Sequence, residues 1–218
     1  MPKKDVLTIA LPKGRLLKEA VEIFVAAGID AGAVLKNDRR LIFENQKDAV
    51  RFMVVRAQDV PAYVEYGAAD LGIAGKDVLI EQGKDLYEPL DMGIGRCRMV
   101  VAEPKALKAK DNPRKWTHVR VATKYPNITT SFFLEKGVQV EIIKLYGSIE
   151  LAPLLGLCER IVDLVQTGET LRTNGLSEVE TIMDVTSRLV CNRASLKTKP
   201  KRLKTLIEAL RKTVAKRK

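Results

Sequence analysis

Histidine is almost missing from this chain of 218 residues: His118 is the only one. The three cysteines, Cys97, Cys158 and Cys191, stand far apart in the sequence. That scarcity argues against a zinc site, a histidine-based triad and a paired disulfide framework, each of which needs such residues at short, regular spacings. Aromatic residues make up only 5%, which leaves few platforms on which nucleic-acid bases could stack. No apolar run approaches the length of a membrane span. The opening Met-Pro-Lys-Lys-Asp leads into a short strand with neither an apolar signal segment nor a small-residue cleavage site. The expectation is a reduced, cytoplasmic protein that engages no membrane.

What is present is apolar and basic. Hydrophobic residues reach 46%, enough for a sizeable core and too many for a disordered chain. The net charge of +11 first points to nucleic acid, but its distribution points elsewhere. Residues 197–218 hold ten Lys and Arg against Glu208 alone, so this tail carries +9 and all preceding residues only +2. Leu203, Leu206, Ile207, Leu210 and Val214 recur there at spacings of three and four, which predicts an amphipathic helix with a basic outer face. Packing of that helix on the body of the protein ranks first, a partner surface second and nucleic acid third.

Short apolar strands alternate with helical patterns, the signature of α/β architecture with parallel strands. Strands are predicted at residues 6–11, 40–44, 51–55, 71–75, 98–102, 119–123, 138–145, 161–165 and 179–191. Helices are predicted from Leu16 to a stop at Gly28, after a cap at Asp59 with Pro61 in the first turn, after Asp77, from Ile128 to Lys136, and briefly from Ser148. The pattern restarts after a polar loop at 104–116, so two lobes around a central cleft are expected, divided near residue 95.

The densest chemistry lies in residues 160–175, Arg-Ile-Val-Asp-Leu-Val-Gln-Thr-Gly-Glu-Thr-Leu-Arg-Thr-Asn-Gly. Ile161, Val162, Leu164 and Val165 read as a strand covered on both faces. Asp163 interrupts it with a carboxylate that is costly to bury without compensation. Thr167-Gly168-Glu169-Thr170 then offers two hydroxyls and a glycine at the start of a helix, where backbone N–H groups can hold an anion. An acid for sugar hydroxyls, four residues before a cradle for phosphate, points to a phosphorylated ribose.

Three other places carry charge at strand ends. Lys13, Gly14 and Arg15 follow the first strand, beyond whose carboxyl end an open α/β sheet binds its ligands. Two cations at a glycine turn suit a polyphosphate, and equally suit a solvated turn. Arg56 ends the 51–55 strand, and its planar fork can hold two phosphate oxygens at once. Asp70 either hydrogen-bonds a ligand or caps the start of the 71–75 strand; Gly72 and Gly75 mark close approaches in that strand.

The order Glu150, Gly156, Cys158, Ile161, Asp163, Thr167-Gly168, Thr170-Leu171 resembles the phosphoribosyl-pyrophosphate signature of the ATP phosphoribosyltransferase family. Leu11-Pro-Lys-Gly-Arg-Leu16 resembles the N-terminal motif of the same family, and the likeness spans about residues 5–195. It implies a two-lobed fold of the periplasmic-binding-protein type II kind. Lobe I would be residues 1–95 with 185–218 returning to it, and lobe II residues 96–184 with the phosphoribosyl-pyrophosphate loop. The implied reaction moves the 5-phosphoribosyl group of phosphoribosyl pyrophosphate to N1 of ATP and releases pyrophosphate, the first step of histidine biosynthesis.

Under that reading Asp163 takes the ribose hydroxyls. Thr167, Gly168, Glu169 and Thr170, with Leu171 beside them, take the 5-phosphate, Glu169 through its backbone N–H. Lys13, Gly14, Arg15 and Arg56 face the pyrophosphate and the ATP phosphates; for Arg56 the resemblance implies a role in pyrophosphate departure. Glu150 either positions the ribose or a metal-bound water, or only begins a helix after Ser148. Mg²⁺ would be held mainly through substrate phosphates. Type I phosphoribosyltransferases usually place two adjacent acids before the phosphate turn, whereas here Asp163 follows Val162; that departure argues against a nucleobase-salvage enzyme. Cys158 stands where the family takes a small residue, so it is expected to pack rather than react.

The chain ends after one basic helix, as short members of the family do. Those members work with a separate regulatory subunit resembling histidyl-tRNA synthetase, so a hetero-oligomer is implied. The alternatives are a non-catalytic two-lobed protein that binds a small anion and, last, a nucleic-acid-binding protein.

Overall fold

The computed structural model describes residues 6–36, 39–108 and 112–217. The opening residues 1–5, the middle of the 104–116 loop and the last residue of the basic tail lie outside that description. The chain divides into two compact units. One runs to Gly95 and resumes at Thr186; the other is Arg96–Val185.

The first unit begins with β1 (Leu7–Pro12), an almost wholly buried strand, and α1 (Arg15–Ala26), which turns Ala20, Val21, Ile23 and Phe24 inward. β2 (Ile42–Asn45), β3 (Val50–Val55), α2 (Val60–Glu65), β4 (Leu71–Gly75), α3 (Lys76–Gln82) and β5 (Tyr87–Asp91) follow. The second unit holds β6 (Cys97–Pro104), α4 (Lys105–Lys108), β7 (His118–Thr123), α5 (Pro126–Glu135), β8 (Gln139–Lys144), β9 (Arg160–Val165), α6 (Glu169–Thr173) and β10 (Leu176–Val185). The first unit then resumes with β11 (Ser187–Cys191), α7 (Arg193–Thr198) and α8 (Pro200–Ala215).

The first sheet runs β2-β3-β1-β4-β11-β5 and the second β10-β6-β9-β7-β8. β1 is parallel to β3 and β4, and β7 is parallel to β8 and β9. These parallel trios fix where side chains at strand ends can meet. Parallel strands, as expected, form the centre of the first sheet and one side of the second, while β2, β11, β6 and β10 add antiparallel pairs that make both sheets mixed. The predicted strand at 179–191 is in fact two strands in two sheets, parted at Thr186. β5 is not legible in the sequence: Tyr-Glu-Pro-Leu-Asp lacks alternation, and its Pro89 suits only an edge strand.

Local capping also differs from expectation. Asp59 precedes α2 but its side chain caps nothing, and α3 starts on Gly75 with Asp77 inside its first turn. The helix predicted from Ser148 is a single 3₁₀ turn, Ile149–Leu151, entered through Ser148 at φ 50. A non-glycine residue there forgoes the regular cap geometry that would start an α-helix.

The core of the first unit joins β1, α1, β3 and β4 through Phe24 and Phe52, whose rings meet edge-on at 5.3 Å. All five predicted α8 residues, Leu203, Leu206, Ile207, Leu210 and Val214, are buried in that core. Each contributes about 1.5–3 kcal/mol by leaving water, which is why this basic helix packs as part of the fold. Gly72 is a close approach as read from the sequence: a β-carbon there would stand 2.6 Å from Val60 Cγ1.

Candidate active site

Because β7, β8 and β9 run parallel, their carboxyl ends lie along one edge of the second sheet. Thr123 at the end of β7 pairs with Val162 of β9 on one side and Lys144 of β8 on the other. Asp163 therefore emerges beside the residue that follows β7, which is Lys124. Asp163 is half-buried, and its Oδ1 accepts a hydrogen bond from the Leu164 N–H at 2.8 Å. Burial pushes its carboxyl above the usual carboxylate range. The Leu164 N–H opposes that shift, the Glu150 carboxylate adds to it, and the Lys124 ammonium opposes it. Glu150 thus belongs to the same charge cluster as Asp163, carried by the 3₁₀ turn.

The turn after β9 leaves Thr167, Glu169 and Thr170 exposed, with Gly168 at φ 75 between them. The Glu169 N–H reaches Thr167 Oγ1 at 3.4 Å, and Arg172 Nη1 reaches the Thr167 carbonyl at 3.4 Å. Both distances are long for hydrogen bonds, so the donors are only loosely engaged. Leu171 departs from the expectation of a ligand contact. Its side chain is buried with Val100, Ile161 and Leu176, so it anchors the five-residue α6 and leaves only its backbone to the turn. Cys158 is buried in the same cluster and burial raises its thiol, as a packing residue requires.

In the first unit the ends of β1 and β3 are adjacent, with Pro12 opposite Val55 and the Lys13 N–H donating to the Val55 carbonyl at 2.7 Å. Lys13 and Arg56 are therefore neighbours along the sheet edge, and both are exposed. Gly14 holds φ 102 between Lys13 and Arg15, a backbone shape that admits this turn into α1. Lys13 also lines a cavity of about 590 Å³ together with Lys36, Arg39 and Arg40, over a floor of Leu17, Val34, Phe43 and Val54. Those three further cations escaped the sequence reading. The signal for them was the basic run at 36–40, which leads into the predicted strand at 40–44 and not out of the carboxyl end of one.

Asp70 is a correction. Its carboxylate lies at the amino end of β4, where Oδ2 accepts from the Thr8 N–H at 2.8 Å and pairs with Lys199 Nζ at 2.9 Å. Oδ1 accepts from Ser195 Oγ at 2.7 Å. Buried and fully engaged, it ties β1 and β4 to α7 and to the residue before α8. It does not stand at the strand ends where Lys13 and Arg56 are. Lys124 is the converse: it was overlooked, although it directly follows a correctly placed strand, as Lys13 and Arg56 do.

Comparison with known proteins gives this geometry a context. The family model described as ATP phosphoribosyltransferase matches residues 56–212. The ATP phosphoribosyltransferase 2 of Geobacter sulfurreducens is 64% identical across 96% of this chain and 99% of its own length. The ATP phosphoribosyltransferase of Caldanaerobacter subterraneus is 53% identical across 96% of this chain and 98% of its own. Among solved structures, a chain of the Thermotoga maritima ATP phosphoribosyl transferase (HisG:HisZ) complex superposes with a TM-score of 0.81 at 33% identity, covering 96% of this chain and 99% of that one. A substrate-binding protein of an amino-acid ABC transporter superposes at 0.57 with 13% identity over 96% of this chain and 92% of its own, a likeness of fold alone and one that fits the type II binding-protein architecture. By sequence along nearly its whole length, and by fold, the chain belongs to the HisG family of ATP phosphoribosyltransferases.

Proposed function

We propose that this chain transfers the 5-phosphoribosyl group of phosphoribosyl pyrophosphate to N1 of ATP and releases pyrophosphate, the first step of histidine biosynthesis. The observation that carries the residue assignment is the succession of Asp163 and the open Thr167–Thr170 turn at the carboxyl end of β9. Asp163 accepts hydrogen bonds from the ribose hydroxyls. The hydroxyls of Thr167 and Thr170, with the N–H groups of Gly168 and Glu169, take the 5-phosphate.

Lys13, Arg15 and Arg56 hold the pyrophosphate and the ATP phosphates, with Lys36, Arg39 and Arg40 as further cations beside Lys13. The attacking ring nitrogen carries a lone pair and needs no strong base. What the residues supply is alignment of two polyanions and neutralisation of a leaving group whose charge grows as the C1–O bond breaks.

Among the described residues no three His, Cys, Asp or Glu side chains gather as a metal cage. A Mg²⁺ would be carried by the substrate phosphates and their water shell, where it would share in neutralising pyrophosphate. The Thermotoga relative is described in complex with HisZ. A hetero-oligomer with a regulatory subunit resembling histidyl-tRNA synthetase is the corresponding assembly for this chain. Cys97, Cys158 and Cys191 form no disulfide with one another, which suits a reducing, cytoplasmic setting.

The test is an absorbance assay with ATP, phosphoribosyl pyrophosphate, Mg²⁺ and pyrophosphatase, with the regulatory subunit present, repeated on Asp163→Ala and Thr167→Ala. Turnover in the wild type, lost in both variants while they remain folded, is the expected result. Failure of the wild type to bind phosphoribosyl pyrophosphate in a calorimeter would overturn the reading.

A further inference from the structure

The assigned residues leave one fully buried hydroxyl at the edge of the site without a role. Thr123 closes β7 and has no exposed surface, and its Oγ1 makes three contacts. It donates to the Val162 carbonyl at 2.8 Å, accepts from the Tyr125 N–H at 2.9 Å, and meets Thr129 Oγ1 at 3.4 Å. Val162 is the residue immediately before Asp163, and Tyr125 is the residue immediately after Lys124. One hydroxyl therefore clamps the turn that carries Lys124 to the strand that carries Asp163.

A strand end held only by its ladder would let the following side chain wander. Here the first residue beyond β7 is bracketed by a buried bond on each side, one to the neighbouring strand and one back across its own turn. Lys124 itself is half-buried, and its ammonium acts on the Asp163 carboxylate. On the other side of β9, Arg98 of β6 and Glu178 of β10 pair with each other at 2.8 Å. Glu150 on the 3₁₀ turn is the remaining charge facing Asp163. Two carboxylates thus face one cation, carried on a turn whose backbone is held by buried hydrogen bonds.

We propose that Lys124 is a substrate-binding residue of this site, the cation that offsets the Asp163–Glu150 carboxylate pair, and that Thr123 is the positioning residue that sets it there. The assignment rests on the function proposed above. Its chemical content is that the ribose diol donates to a carboxylate, so the site binds phosphoribosyl pyrophosphate only while Asp163 is ionised. Removing Lys124 makes ionisation harder; removing the charge of Glu150 makes it easier.

The experiment is calorimetric titration of phosphoribosyl pyrophosphate into the wild type, Lys124→Met, Lys124→Arg, Glu150→Gln and Thr123→Val, each across a pH series. Lys124→Met is expected to weaken binding about 10- to 100-fold, as the loss of a contact to a charged group does. It should also move the acid limb of the binding profile to higher pH. Lys124→Arg should restore most of the affinity, and Glu150→Gln should move the acid limb the opposite way. Thr123→Val keeps the volume and loses the clamp; its acid limb should follow that of Lys124→Met. A Lys124→Met protein that binds as tightly as wild type, with an unmoved acid limb, overturns the role of Lys124. A Thr123→Val protein that is merely less stable, with an unmoved limb, overturns the positioning role. If the wild type fails to bind at all, the proposed function falls and this assignment with it; if only the variants behave like wild type, the assignment falls alone.

Discussion

Gly168 lies against the carboxylate of Glu178: a β-carbon on Gly168 would stand 3.2 Å from Glu178 Oε1. Glu178 is itself held by Arg98 Nη2, which donates to both its oxygens at 2.9 and 2.8 Å. The glycine at the heart of the turn proposed to hold the 5-phosphate therefore meets two independent constraints, a left-handed φ of 75 and a neighbour that is pinned. Gly168→Ala should lose roughly 1–2 kcal/mol to the left-handed backbone alone, and displacing Glu178 disturbs the turn further. Urea unfolding together with calorimetric titration of phosphoribosyl pyrophosphate checks this. Wild-type stability and affinity in the alanine variant would show that the turn tolerates a side chain and that its shape is not what binds.

Asp163 sets binding against stability. Burial raises its carboxyl above the usual carboxylate range, so the folded chain holds this proton more tightly than the unfolded chain does. The stabilisation linked to that proton is complete below the unfolded value of about 3.9 and is lost as pH rises through the higher folded value. Near neutrality the ionised Asp163 therefore weakens the fold. Asp163→Asn should make the ligand-free protein more stable at pH 7, with the gain shrinking as pH falls toward the carboxylate range, while affinity for phosphoribosyl pyrophosphate collapses. Chemical denaturation at several pH values gives the first quantity and calorimetry the second. A variant that is less stable than wild type at pH 7 would contradict the assignment of Asp163 as an acid whose desolvation outweighs the groups that favour its charge.

Asp70, by contrast, is an acid whose oxygens are both engaged within the fold. It accepts from the Thr8 N–H and Ser195 Oγ and pairs with Lys199. Asp70→Ala strands three donors, one at a buried position and two at half-buried ones, and should cost roughly 3 kcal/mol, in the range for breaking a buried pair by removing one partner. Affinity for phosphoribosyl pyrophosphate should survive in the folded fraction. A stable Asp70→Ala protein that fails to bind would return Asp70 to the site from which its position at the amino end of β4 removes it.

The positions of the candidate residues were legible because strand ends are legible. Asp163 is visible as an acid inside an apolar run, and Lys13 and Arg56 as charges one step past strands whose ends, 12 and 55, the periodicity places within a residue. Asp70 misled for the same reason it is buried. Its partners Ser195 and Lys199 lie more than a hundred positions away, and no local pattern announces contacts of that range. Lys36, Arg39 and Arg40 converge with Lys13 only through the loop that precedes β2. The antiparallel placement of β6 and the division of 179–191 between two sheets are likewise invisible to periodicity, which records which face of a strand is apolar and not which neighbour it pairs with.

Arg160 opens β9, three residues before Asp163, and is almost wholly buried. Its guanidinium carbon lies 3.8 Å from the centre of the Trp116 ring, within cation–π range. Its Nε is 3.2 Å from Glu103 Oε2, close enough for strong attraction though the two atoms are not aligned for a hydrogen bond. Removing one member of such a pair leaves the other charge stranded, whereas removing both leaves an apolar gap that Trp116 can help fill. Arg160→Met should therefore cost roughly 3–5 kcal/mol, and the double variant Arg160→Met with Glu103→Leu should recover most of it. The measurement is a double-mutant cycle in urea, with affinity for phosphoribosyl pyrophosphate as the second readout. That affinity should hold in the double variant, because the pair sits at the opposite end of β9 from the phosphate turn. A double variant as unstable as Arg160→Met would mean that the stacking of Arg160 on Trp116, rather than its charge partner, is what this corner of the second unit depends on.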